Sequence, residues 1–238
     1  STRNVSIGAY DSTYIHMVIA IFMTLSGVNF SLYYALFRGK WRDVFKDQEL
    51  RLYFIIISLC TIFIAISLRT SSYDSIGLSL RDAFFQVSSI ITTTGYATAN
   101  FDAWPTFSKA ILFLLMFVGG CAGSTAGGVK NIRILVLLKL IKREVQKIFH
   151  PRAIIPIKVG DKVVQNETVT GITTFFSLYI FIFIISTVII SLEGIDLESS
   201  TTAVLVTLGN IGPGFGLVGP TSTFSEFSAF SKVLFSLL

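Results

Sequence analysis

The chain has 238 residues, of which 52% are hydrophobic and only 14% are charged, and its mean hydropathy is +0.72. A soluble domain carries roughly 25% charged residues because water must solvate its surface, so this composition excludes an ordinary soluble domain and indicates a multi-pass membrane protein. The net charge of +5 does not indicate a nucleic-acid partner, because the basic residues gather in residues 38–51 and 130–162, between apolar runs. Such placement is typical of cytoplasmic loops.

A membrane-spanning helix needs about 20 mostly apolar residues. In chain order, the runs that predict such helices are residues 12–37, 51–68, 107–141, 168–192 and a last one that begins at 226. Asp11 or Ser12 is placed to cap the first helix. The third run is interrupted at residues 119–128, and the last is unfinished at Leu238. Because the chain also begins without an initiator Met, we expect it to be a fragment with about five membrane helices.

Two further segments are too short to cross a membrane. Residues 80–91 and 197–208 each predict about three helical turns, and each is followed by a polar strip that contains glycine. If each segment enters the membrane and returns to the same side, both basic regions lie in the cytoplasm and the acidic residues 193–198 lie outside. We therefore predict two re-entrant pore helices.

A weak internal repeat supports that arrangement. At an offset of 117 residues, Leu80 corresponds to Leu197 and Gly95 corresponds to Gly212. The order of spanning helix, short helix, glycine strip and spanning helix is the same in both copies. Internal duplication is common in membrane transporters, whose binding sites lie at the repeat interface.

The two glycine strips have the chemistry of an ion filter. Irregular backbone at membrane depth is tolerated where it is buried in protein or lines a watery cavity. Glycine permits backbone angles that aim carbonyls inward, and potassium filters replace the hydration shell of the ion with rings of such oxygens. The C-terminal end of each short helix would add partial negative charge near the cation path. Taken alone, the first strip could also be a helix–glycine turn at the outer surface.

Residues 92–96 (TTTGY), 119–130 (GGCAGSTAGGVK) and 209–216 (GNIGPGFG) together resemble the Trk/Ktr superfamily of potassium transporters. The resemblance implies an all-α integral membrane fold of four helix–pore-loop–helix repeats around one pore. It implies that residues 1–46 hold the second helix of repeat two with a cytoplasmic loop. Residues 47–145 would be repeat three, and residues 146–238 would be repeat four with the start of its last helix.

The same resemblance implies roles for particular residues. The implied filter residues are Thr93, Thr94, Gly95, Tyr96, Asn210, Ile211, Gly212 and Pro213. The implied gate loop beneath the filter contains Gly119, Gly120, Gly123, Ser124, Thr125, Gly127 and Gly128. Independently, five glycines in ten residues are incompatible with a stable helix, although a close helix contact through small residues is the alternative interpretation.

The resemblance implies gated potassium uptake across the bacterial inner membrane, with potassium as substrate and the filter as its only metal site, and with no bound cofactor. Implied partners are a second copy of the subunit and a cytosolic nucleotide-binding regulatory subunit. The two basic surfaces could dock that subunit, and anionic lipid headgroups explain them equally well. The pore loops of repeats one and two are absent from the chain, and the basic residue of the family's last helix would fall beyond Leu238.

Two alternatives stay open at this point. A sodium-permeable or cation-coupled secondary transporter of the same broken-helix type would place ionisable residues at mid-membrane depth, and the predicted spans almost entirely lack them. A membrane enzyme would need a nucleophile or base, for which the sequence offers no candidate.

Overall fold

The computed structural model describes residues 6–71, 73–153 and 155–238, and these are mostly helical. The first half contains α1 (Thr13–Ser26), α2 (Phe30–Phe37), α3 (Trp41–Lys46), α4 (Gln48–Ser71) and α5 (Ile76–Ile91). The second half contains α6 (Thr106–Val118), α7 (Asn131–Phe149), α8 (Asn166–Ser191), α9 (Leu197–Leu208) and α10 (Ala229–Leu237). An antiparallel hairpin of β1 (Lys158–Val159) and β2 (Lys162–Val163) separates α7 from α8. Short 3-10 turns cover Ser6–Ala9, Phe101–Ala103, Gly216–Val218 and Phe224–Glu226.

Helices α4 and α8 are long and apolar enough to cross a membrane, with 24 and 26 residues. Among the described residues they are the two single helices that meet this criterion. Their outward faces expose large apolar side chains, including Ile55, Phe63, Ile66, Phe181, Ile184 and Val188. A surface of this composition is solvated by lipid tails, and it accounts for the low charge of the whole chain.

The prediction of one continuous helix over residues 12–37 is wrong. The structure has α1 and α2 instead, and the two are bent by 93° at the break between them. Ser12 caps α1 as expected, with its side chain accepting a hydrogen bond from the Ile15 N–H at 3.4 Å. The Asn29 side chain then starts α2 by accepting from the Ser31 N–H at 2.9 Å. Asn29 is thus a second N-cap residue inside the apolar run, and a new helix begins after it. Backbone groups of residues 27–29 lie between the two helices and are free to bind other parts of the chain.

The two short predicted helices are both present. Helix α9 has the predicted bounds, starting from the Asp196 side chain, which accepts from the Ser199 N–H at 2.9 Å. Helix α5 begins at Ile76, four residues before the predicted start at Leu80, and ends at Ile91 as predicted. Each is shorter than the roughly 20 residues that a membrane crossing needs. Their C-terminal ends therefore lie inside the helical assembly, where the glycine strips begin.

The main core surrounds α5. This helix packs against α1, α4 and α6, while α9 packs against α6 and α8. Fully buried members of the core are Tyr53, Ile64, Leu68, Ile91, Leu112 and Phe215, which come from α4, α5, α6 and the strip after α9. The second glycine strip is thus part of the same core as the first, so packing fixes the two strips relative to each other.

Candidate ion filter and gate loop

The strips after α5 and α9 have the same backbone pattern. Thr93 and Gly95 have φ of +52° and +74°, and Asn210 and Gly212 have φ of +56° and +116°. The members of each corresponding pair are 117 residues apart, which is the offset of the predicted repeat. When residues with positive φ alternate with residues with negative φ, their successive backbone carbonyls point to the same side of the strand. A non-glycine residue at positive φ is uncommon, so its occurrence at equivalent places in both copies indicates a shared backbone task.

The two strips touch each other at their glycines. A Cβ atom on Gly95 would lie 2.1 Å from the Ile211 carbonyl oxygen and 3.1 Å from Pro213 Cδ. On Gly212, a Cβ would meet the Gly95 Cα at 3.8 Å. Both the positive φ and the close approach therefore require glycine at residue 95. The side chain of Ile211 is buried in the core, which leaves its backbone as the group available to a cation path.

Hydroxyl groups on the short helices hold the far ends of both strips. The Ser89 hydroxyl donates to the Tyr96 carbonyl at 2.6 Å, and the Thr92 and Thr94 hydroxyls lie 2.9 Å apart. After α9, Thr202 Oγ1 accepts from the Phe215 N–H at 3.1 Å. These bonds join each strip to the helix that precedes it. The Tyr96 ring packs outward against a small cluster from α1 and α5.

The loop between α6 and α7 reaches both strips. The Gly127 N–H donates to Thr93 Oγ1 at 2.7 Å, and a Cβ on Gly127 would lie 2.5 Å from the Gly209 carbonyl oxygen. Gly127, called the tip of the loop below, therefore contacts the first residues of both strips. Thr93 and Gly209 lie at the start of their strips, next to the ends of α5 and α9. The loop therefore contacts each strip at the end nearest its short helix.

The structure brings all seven predicted gate residues into this one loop. Gly119 and Gly127 lie close together, since a Cβ on Gly119 would lie 2.5 Å from the Gly127 carbonyl oxygen. The neck of the loop is the place where Gly120 meets Asn131. The Asn131 N–H closes the neck by donating to the Gly120 carbonyl at 2.8 Å. Gly119, Gly123 and Gly128 all have positive φ. Ser124 turns the loop by donating to the Cys121 carbonyl at 2.6 Å, and Thr125 reaches away from it to the Ser26 carbonyl at 3.3 Å.

The other side of the loop is bound to the break between α1 and α2. The Cys121 N–H donates to the Gly27 carbonyl at 2.9 Å, and the Phe30 N–H donates to the Gly123 carbonyl at 3.1 Å. Sequence reasoning missed this contribution because Gly27 lies within a long apolar run. The available signal was Gly27 followed by Asn29, a glycine and a good N-cap residue two positions apart. The two broken helices thus satisfy each other's free backbone groups, as membrane-buried irregular backbone requires.

Among residues 6–71, 73–153 and 155–238, no group of three His, Cys, Asp or Glu side chains could hold a metal ion. The oxygens near the strips are carbonyls and hydroxyls, which suit a weakly bound monovalent cation that must enter and leave.

A family model described as "TrkH: Cation transport protein" matches residues 1–238. The chain is 38% identical over 228 residues to the Trk system potassium uptake protein TrkH of Escherichia coli (strain K12), covering 94% of this chain and 47% of the relative. It is 34% identical over 238 residues to the Trk system potassium uptake protein TrkG of the same strain, covering 98% of this chain and 48% of the relative. The chain spans about half the length of the curated relatives it matches.

The fold matches that of the crystal structure of the potassium transporter TrkH from Vibrio parahaemolyticus, with a TM-score of 0.91 and 35% identity. The match covers 100% of this chain and 51% of that chain. It confirms the predicted all-α membrane fold with re-entrant helices, and it confirms the resemblance drawn from the glycine motifs. The chain therefore belongs to the TrkH family of cation transport proteins and is part of a multi-pass membrane protein.

Proposed function

We propose that this chain forms half of a gated pore for potassium uptake. The observation that carries the proposal is the pair of contacting strips with the same φ pattern at an offset of 117 residues. Two copies of one backbone pattern that face each other are what a pseudo-symmetric ion filter requires. The relatives are named as potassium uptake proteins, which supports potassium as the substrate.

In this proposal residues 93–96 and 210–213 supply oxygens that replace part of the hydration shell of the ion. Helices α5 and α9 end immediately before these strips, so the partial negative charge of each C-terminus favours a cation there. Thr94 adds a hydroxyl to the backbone carbonyls, whereas the Thr93 hydroxyl accepts from the Gly127 N–H. No charged side chain belongs to either strip, so binding is weak enough to permit release.

We further propose that residues 119–128 act as the gate. The contacts of Gly127 with Thr93 and with Gly209 support this role, because they place the loop at one end of both strips. Movement of the tip away from the strips breaks the bond between Gly127 and Thr93, at a cost of about 1 kcal/mol. That cost is small enough for a partner or an ion gradient to shift the loop between closed and open positions.

The proposal is tested by Gly95→Ala in the complete protein that carries this chain. The added methyl clashes with the Ile211 carbonyl, so we expect loss of discrimination between potassium and sodium together with a large fall in potassium flux. The measurement is rubidium and sodium flux into liposomes at several ion concentrations, which also separates a pore from a saturable, ion-coupled carrier.

Gly160→Ala is the matched control. Gly160 also has positive φ, at +60°, but a Cβ there meets nothing within 4 Å, and the residue lies in the hairpin far from the strips in sequence. Its backbone strain is therefore comparable, and flux and selectivity should stay at the wild-type level. Unchanged selectivity in Gly95→Ala would refute the filter role of the first strip.

We propose that the complete protein works with a second copy of itself and a cytosolic nucleotide-binding regulatory subunit. The relatives are described as parts of a Trk system, which supports a membrane subunit with partners. A cavity of about 470 Å³ lies between α7 and the hairpin, lined in part by Arg143 and Lys147. Its positive charge suits an acidic protein surface or the anionic lipid headgroups of the same leaflet.

A further inference from the structure

We propose that Glu49 is a positioning residue that fixes the base of the gate loop, residues 119–128, while the tip of the loop moves. The inference rests on the proposed function of that loop. Glu49 lies in the first turn of α4, outside both glycine strips and outside every motif that carries the family resemblance.

Glu49 binds the loop inside its first half and at its C-terminal end. Its side chain is only 6% exposed, and Oε1 accepts a hydrogen bond from the Ala122 N–H at 2.6 Å. Its backbone carbonyl accepts from the Asn131 side-chain amide at 3.1 Å. Asn131 is fully buried and closes the neck of the loop through its own N–H. A single residue of a membrane-spanning helix therefore binds the first half of the loop, at Ala122, and the first residue of α7, Asn131.

Capping of α4 does not explain this side chain. The N-terminus of α4 is capped by Asp47, whose Oδ1 accepts from the Leu50 N–H at 2.8 Å. A buried carboxylate is costly unless it is hydrogen-bonded, and its bond is to the gate loop.

The contacts divide the loop into a fixed part and a movable part. Cys121 and Ala122 are bound to the α1–α2 break and to Glu49, whereas Gly127 is bound to Thr93 at the strip. Cys121 and Ala122 are thus held by two neighbouring helical segments, whereas Gly127 is held to the strips by one hydrogen bond and by its packing against Gly209. Loss of the Glu49 side chain frees the base, so the loop no longer holds its tip against the strips and ions pass more readily.

The test is the basal rubidium flux of the complete protein in liposomes without any regulatory subunit. We expect Glu49→Ala to raise this flux about fivefold, which corresponds to the loss of one hydrogen bond. Glu49→Gln keeps an acceptor oxygen at the same place, so its flux should stay within about twofold of the wild type. Glu167→Ala is the control, because Glu167 is an exposed carboxylate in the first turn of α8, and its flux should be unchanged.

Asn131→Ala serves as the second variant if Glu49→Ala does not assemble, since it removes the bond to the Glu49 carbonyl and should also raise the flux. Basal flux at the wild-type level in the assembled alanine variant, or equal flux in Glu49→Ala and Glu49→Gln, overturns the inference. Wild-type liposomes that pass no rubidium even after the regulatory subunit is added would instead refute the proposed pore. The two failures are therefore distinguishable in one experiment.

Discussion

Thr93 combines two unusual features in one residue. It is β-branched yet has φ of +52°, a conformation that costs on the order of 1–3 kcal/mol. Its hydroxyl also accepts a hydrogen bond from the loop of residues 119–128, at 2.7 Å from the Gly127 nitrogen. Strain at the position where two functional segments meet indicates that the residue is held there by its surroundings, and the hydroxyl gives a reason for choosing threonine.

Thr93→Val keeps the shape of the side chain but removes the acceptor. The Gly127 N–H then lacks its partner, so the closed position of the loop loses about 1 kcal/mol and basal rubidium flux should rise about fivefold. Thr93→Ser keeps the hydroxyl and should stay near the wild-type flux. Both variants are measured in liposomes, with thermal unfolding in detergent as the check on assembly. Equal flux in the valine and serine variants would contradict the role of the hydroxyl.

At the scale of elements, the sequence predicts those features that a local pattern determines. Hydropathy and length predict α8, the polar glycine strip predicts the end of α9, and the density of glycines predicts the break after α6. The break at Gly27 has no such pattern, because one glycine in an apolar run is tolerated in a membrane helix. It depends on backbone contacts with the gate loop, about 95 residues later in the chain.

The candidate site divides in the same way. The strips and the loop are recognisable because glycine stands at several of their positions with positive φ, among them residues 95, 119 and 212, so the residue type itself indicates the backbone geometry. Their supports are not recognisable. In the sequence, Glu49 is one charged residue in a basic segment. Its contact with the loop is visible only in the folded structure, where α4 packs against the loop.

The break between α1 and α2 makes a testable packing prediction. A Cβ on Gly27 would lie 2.3 Å from the Tyr53 hydroxyl oxygen and 2.8 Å from Thr92 Cγ2. Gly27→Ala should therefore lower the free energy of unfolding by about 1–3 kcal/mol through overpacking. Tyr53→Phe alone should cost about 1 kcal/mol, because its hydroxyl donates to the Thr24 carbonyl at 2.9 Å. The double variant should be less destabilised than the sum, since the clashing oxygen is gone.

Denaturant unfolding of the four proteins in detergent gives this coupling energy. Gly171→Ala in α8 is the control, because a Cβ there meets nothing within 4 Å. It should be neutral or stabilising by up to about 1 kcal/mol, as alanine favours a helix over glycine. Strict additivity of Gly27→Ala and Tyr53→Phe would show that the hydroxyl does not limit the space at the break.

At the scale of the whole molecule, the predicted repeats three and four are joined by a charged network as well as by the core. Lys109 of α6 forms ion pairs with Asp102, at 3.4 Å, and with Glu198 of α9. The Lys109 ammonium also lies 5.1 Å from the centre of the Phe215 ring. Asp102 in turn accepts from the Gly216 N–H at 3.2 Å. The network therefore connects α6 of the predicted repeat three to α9 and to Gly216, just after the second strip, in the predicted repeat four.

Lys109→Met keeps most of the apolar stem but removes the charge that connects the two repeats. Because the pairs are only partly exposed and form a network, we expect a loss of about 1 kcal/mol in the free energy of unfolding, at the upper end for accessible ion pairs. Salt screens such pairs, so the difference from the wild type should shrink between 0.1 M and 1 M sodium chloride.

Lys147→Met is the control, since Lys147 pairs with Glu144 within α7, and both side chains are exposed. That variant should differ from the wild type by no more than about 0.5 kcal/mol at either salt concentration. If the two variants behave alike, the network does not hold the repeats together, and the core shared by α4, α5, α6 and the second strip does so alone.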